Sequence, residues 1–183
     1  MKRILFLFAI LTVSLQTFAQ STKYKTTTGH IWFTSVSPLE TIEAHNRQVI
    51  ALLDKSTGSI AYKVVMKSFE FKKAAMQDHF NTQYLHTDKY PNATFDGKFT
   101  NPSAVSYDKD GSYSVEASGK LTIHGVTKEI KEKGTVTVKG NTVSTQSTFT
   151  INLADYNVTI PSNYVNNISR TITINVDCTL TLQ

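Results

Sequence analysis

The sequence predicts an all-β domain, either a sandwich or a closed antiparallel barrel, and three observations predict it. Beyond the first twenty residues, apolar and polar side chains alternate with a period of two through most of the chain. Turn-forming residues punctuate that alternation at Thr57-Gly58, Lys109-Asp110-Gly111 and Lys139-Gly140-Asn141. Nothing competes with it, since the chain carries no long helical period, heptad repeat or low-complexity tract. Many short strands with one apolar face must bury that face against one another, which leaves two packed sheets or one closed sheet.

The N-terminus reads as an address. Lys2-Arg3 precedes an apolar run from Ile4 to Leu15, and Thr17-Phe18-Ala19 places small residues where a signal peptidase reads. Cleavage after Ala19 would leave a domain over 20–183. The run is short for a membrane span and polar sequence follows it at once, so an exported chain that does not span the membrane is expected, periplasmic or secreted. Strands are then expected at Ile31–Val36, Thr41–His45, Gln48–Asp54 and from Ile60 onward. In the last of these Ile60, Tyr62, Val64 and Met66 share one face, but Phe69 and Phe71 fall on the opposite parity. A bulge or bend near Lys67-Ser68 would return them to the same side.

Residues 72–84 break the β pattern. Met76, Phe80 and Tyr84 recur every four residues, with Gln77, Asp78 and Asn81 opposite, which predicts a short amphipathic helix. It has no convincing N-cap, and Lys72-Lys73 sits badly at the positive end of a helix dipole, so packing must hold it. Pro91 ends the excursion and drives Tyr90 into extended backbone. Strands follow at Ala93–Thr100, from Tyr113 to Ile123, at Val126–Val138 and at Thr142–Leu153. The last strand alternates most cleanly, with Ile172, Ile174, Val176, Cys178, Leu180 and Leu182 on its dry face.

Composition excludes several functions. A formal net charge of +5, two of the positive charges being Lys2 and Arg3, is too mild and too scattered for nucleic acid. Cys178 is the only cysteine, so no intrachain disulfide forms, and its place in the dry phase reads as a small buried hydrophobe. His30, His45, His79, His86 and His124 show no HxH or HxxxH spacing that would present two imidazoles to one metal. No nucleophile elbow, phosphate-cradling glycine loop or close carboxylate pair is present, so no enzyme, metal site or cofactor is expected.

Two features remain. His124-Gly125 ends a strand with a polar ring beside the residue that tolerates backbone others avoid, which fits a strand-to-strand corner better than a polar contact at a cavity mouth. Lys128 and Glu132 share the phase of Val126, Ile130 and Val136, and a bulge that turns them outward is the expected solution. The rings of Phe33, Phe69, Phe71, Phe80, Tyr84, Phe95, Phe99 and Phe149 fit a solid core or the walls of a tunnel equally well.

Three segments in this order carry a further signal: MxxHF at Met76–Phe80, KYPxxxF at Lys89–Phe95 and LTIHGVTK at Leu121–Lys128. Together they closely resemble the YceI-like family of periplasmic, lipocalin-like barrels that bind polyisoprenoid lipids. One departure is Tyr84-Leu85-His86, where relatives often carry Phe-Phe-Asp. The resemblance implies an antiparallel eight-stranded lipocalin-like barrel with a short helix flanking or capping it. It also implies an apolar tunnel that takes the tail of an isoprenoid, a quinone-like lipid or another long-chain amphiphile. On that reading Phe69, Phe71, Met76, Phe80, Phe95, Leu121 and Ile123 line the tunnel, and His79 and His124 are its candidate polar contacts. Monomer and homodimer are both compatible with the sequence. The competing reading is a non-catalytic structural or partner-binding barrel with a filled core. An outer-membrane barrel fits less well, because the last strand's polar face is Thr, Asn and Asp and the chain ends in Leu182-Gln183.

Overall fold

The structure, a computed structural model, describes residues 21–183, so the expected signal peptide over 1–19 lies outside the described residues. Nine strands form: β1 (Lys23–Val36), β2 (Thr41–Asp54), β3 (Ser59–Val65), β4 (Glu70–Phe71), β5 (Asn92–Phe99), β6 (Gly111–Ile123), β7 (Val126–Lys139), β8 (Thr142–Asn152) and β9 (Thr171–Leu182). The sheet runs β1-β9-β8-β7-β6-β5-β3-β2, every pair antiparallel, and β1 pairs with β2 to close it. Eight long strands thus make a closed barrel, as expected. The two-residue β4 continues the course of β3 along β2 after a single turn of 3₁₀ helix at Met66–Ser68.

That turn is the predicted change of phase. Ile60, Tyr62, Val64 and Met66 face inward before it, and Phe69 and Phe71 face inward after it. The break would strand backbone groups of β2, and the fully buried Asn46 repairs it. Its Nδ2 donates to the Val65 carbonyl at 2.8 Å, and its Oδ1 accepts from the Gln48 N–H at 2.9 Å. Consequently β2 is one strand rather than the two the sequence predicts, with an irregular register near Asn46 and Val49. β1 also begins earlier than expected, because Lys23–His30 alternates too weakly to announce a strand yet pairs with both neighbours.

The predicted helix forms as α1 (Ala74–His79), without a side-chain N-cap, and runs on into a wider π turn over Phe80–Tyr84. The Leu85 N–H closes that turn onto the Phe80 carbonyl at 2.9 Å. At one end of the barrel, α1 and the 153–170 connection lie over the strand ends. At the other end the 100–110 connection brings in Val105 and Tyr107, whose ring stacks on Tyr24 at 5.9 Å.

Where β5 crosses β6, Gly97 faces Gly119, and a Cβ on Gly119 would collide with the backbone of Asp96 and Gly97. Backbone cannot swing aside as a side chain can. Gly119→Ala should therefore lower unfolding stability by about 1–3 kcal/mol, read by urea denaturation. An unchanged midpoint would mean that the two strands are free to part there.

Candidate functional site

The barrel is solid at one end and hollow at the other. Around the 100–110 connection, Tyr24, Leu53, Val138, Val143, Cys178 and Leu180 are all 0–2% exposed and fill the interior. Burial pushes the Cys178 thiol up to about 12, which leaves it inert. Under α1 and the 153–170 connection, the same inward-facing positions surround an apolar cavity of about 330 Å³.

A polar bar forms the floor between the two halves. Tyr62 on β3 donates to the Thr145 hydroxyl on β8 at 2.8 Å, and Thr145 donates to the Cys178 carbonyl at 3.3 Å. β3 and β8 stand four strands apart in either direction around the barrel, so the bond crosses its full width. Burial raises the Tyr62 phenol far above its ordinary range and keeps it protonated as the donor. Each hydroxyl is satisfied, and the pair holds opposite walls at a fixed separation.

Above the floor, the seven side chains expected to line a tunnel all face the cavity. Phe69 and Phe71 come from the β3–β4 break, Met76 and Phe80 from α1 and its π turn, Phe95 from β5, and Leu121 and Ile123 from β6. Phe33 of β1 joins them. Its ring lies 5.3 Å from Phe69, 5.9 Å from Phe71 and 5.7 Å from Phe80, in tilted, edge-on and stacked arrangements respectively. Such offsets let aromatic rings pack without filling the space beside them. The helix therefore caps the hollow end with its apolar face.

The two candidate polar contacts part company. His79 lines the cavity near its mouth, with its ring centroid 6.3 Å from that of Tyr164. His124 does not line it. His124 and Gly125, at φ of +50° and +76°, are the two central residues of the tight β6–β7 hairpin turn. There the His124 ring points away from the lumen. Its Nδ1 donates to the Tyr156 carbonyl at 3.2 Å, its Nε2 lies 3.0 Å from His86 Nδ1, and its edge meets the Tyr90 ring. The sequence's structural reading of this histidine is the one the geometry supports. His86, which stands at the departure from the family pattern, is its partner.

Lys128 and Glu132 correct a second expectation. The β6–β7 register is unbroken from Ile123↔Val126 to Gly111↔Val138, so no bulge turns them outward. Lys128 is exposed near the start of the strand, whereas Glu132 lines the cavity and is half-buried. Burial raises its carboxyl above the usual range. Ile172 and Ile174, from the predicted dry face of the last strand, continue the wall, and Ile42, Ile151, Tyr156 and Val158, which the sequence did not single out, join them. Among the described residues, no group of three His, Cys, Asp or Glu could hold a metal ion, and no helix is long and apolar enough to cross a membrane.

A YceI-like domain model matches residues 15–180. Solved structures share the fold. A polyisoprenoid binding domain from Saccharophagus degradans superposes with a TM-score of 0.77 at 15% identity, covering 90% of this chain and 100% of that one. Burkholderia cenocepacia BcnA gives 0.68 at 18% identity over 82% of this chain and 95% of its own. The Campylobacter jejuni YceI protein gives 0.57 at 14% identity over 100% and 99%. No match was found among curated proteins.

Proposed function

The chain belongs to the YceI-like domain family, and on that premise we propose that it is an exported, non-catalytic binding protein for an isoprenoid or similar long-chain amphiphile. The observation that carries this reading is the half-hollow interior: a closed barrel leaves about 330 Å³ unfilled behind walls of Phe, Ile, Leu and Val. That volume lies at the lower end of the range of small-molecule pockets, roughly 300–1,000 Å³. A similar fold described as a polyisoprenoid binding domain supports the choice of ligand class. The predicted signal peptide supports delivery to the periplasm or beyond.

The energetics suit a tail. At about 0.8 kcal/mol per buried CH₂, two five-carbon prenyl units contribute roughly 8 kcal/mol before ordering costs. Apolar burial has no direction, so the walls read a tail's bulk and length loosely. In this reading the Tyr62–Thr145 bar is the stop against which the tail ends, and chains too long for the space above it protrude at the capped end.

Native mass spectrometry of protein exported by its own leader and purified without detergent tests the proposal. The expected spectrum shows a chain beginning at Gln20 with a co-purified lipid mass, or quantitative uptake of an added prenol or long-chain quinone. A ligand-free mass that takes up neither would overturn the binding reading. A mass retaining residues 1–19 would overturn the export reading alone.

A further inference from the structure

β7 and β8 pair only from Gly134↔Ser147 to Lys139↔Thr142. Above that point they part: β8 stays with β9 as far as Asn152, while Val126–Lys133 of β7 keeps only β6. The Ser147 hydroxyl marks the fork by donating to the Lys133 carbonyl at 2.7 Å. A 3₁₀ turn at Leu153–Tyr156 packs against both strands above it. The Asn152 side chain fixes that turn by accepting from the Ala154 N–H at 3.1 Å, and Asn157 closes it in left-handed backbone.

Glu132 on β7 and Tyr156 in the turn packed against it both line the cavity. Burial first, then the Asp155 charge and last the Glu132 charge raise the Tyr156 phenol above its ordinary range. Neither side chain has a hydrogen bond or ion pair among the described residues. Of the neighbouring lysines, Lys131 pairs with Glu116 at 2.8 Å, and Lys133 lines the cavity without an ion pair to Glu132. A half-buried carboxylate in an apolar wall costs stability unless something hydrogen-bonds to it. We propose that Glu132 and Tyr156 form the head-group site of this barrel, which selects amphiphiles whose head donates a hydrogen bond and carries no negative charge.

The chemistry follows from the two groups. A hydroxyl head donates a hydrogen bond to a Glu132 oxygen and accepts one from the Tyr156 O–H, so one small group satisfies both. A carboxylate or phosphate head meets Glu132 with like charge and is rejected. Selection therefore comes from one residue of β7, whereas the walls read only the tail.

This assignment rests on the lipid-binding reading, and the experiment separates the two. Binding of 1-decanol and of decanoate is measured by calorimetry at pH 7 for the wild type, Glu132→Gln and Tyr156→Phe. The expected wild type prefers decanol at least tenfold. Glu132→Gln should bring that ratio close to one, mainly by admitting decanoate, and Tyr156→Phe should weaken decanol several-fold. Glu132→Gln should also raise the melting temperature of the empty protein, because the amide is cheaper to bury. An unchanged ratio in Glu132→Gln would overturn the head-group site and leave the binding reading standing. Absence of binding by every form would overturn both. A lowered melting temperature would show a carboxylate that holds the barrel together, and would equally overturn the assignment.

Discussion

Leu180→Ala is expected to remove about 2–5 kcal/mol of unfolding free energy, while Ile174→Ala, on the same face of the same strand, removes no more than roughly half as much. The difference follows from where each side chain ends. Leu180 is 0% exposed, lies opposite Val143 in the β8–β9 register and belongs to the solid half of the barrel. Its removal leaves a void in a close-packed region, so the lost contacts add to the lost transfer energy. Ile174 already borders the cavity, and truncating it enlarges an existing space instead of opening a new one. Parallel urea titrations check this, provided the two variants share the wild-type m-value. Equal losses would mean that the upper half is packed as tightly as the lower.

That comparison also marks the limit of the sequence. Ile172 to Leu182 alternates without a fault, and every dry residue of β9 does face inward. Yet Ile172, Ile174 and Val176 line a hollow, while Cys178 and Leu180 are packed solid. Alternation reports the side of the sheet on which a residue lies and is silent on what stands opposite. The opposing residue comes from a strand distant in the chain, as Thr145 does for Tyr62, and no local pattern encodes that meeting. The helix, the phase change at Lys67-Ser68 that carries Phe69 and Phe71, and the other five lining residues were legible because each is a short-range signal: a four-residue recurrence, a parity flip and a motif.

The misreadings have two opposite causes. A bulge is the natural expectation for Lys128 and Glu132, because charged groups rarely point inward. The unbroken β6–β7 register overrules it for Glu132 and aims the carboxylate at the cavity. Local rules are most informative where they fail at such a site, since a destabilising residue that a fold retains calls for a role. The β1 opening was missed for the reverse reason. Lys23–His30 obeys no strong pattern, and its pairing with β2 and β9 is imposed by closure of the barrel.

Ile174→Trp should weaken binding of a long-chain amphiphile by about 100-fold, with a loss that grows with chain length. Ile174 sits opposite Phe33 on β1 and Phe149 on β8, in the wall of the hollow half. An indole there enters the space that a tail would occupy. Displacing about four methylenes at roughly 0.8 kcal/mol each forfeits about 3 kcal/mol, which is the stated factor in Kd. The substitution leaves the solid half, the Tyr62–Thr145 bar, Glu132 and Tyr156 unaltered, so a short amphiphile that needs only the outer part of the cavity should lose far less. Titrating a series of n-alcohols of increasing length into wild type and variant checks both the size and the slope of the effect. A uniform loss at every length would point to a rearranged mouth, and no loss at any length would place the tail somewhere other than the barrel.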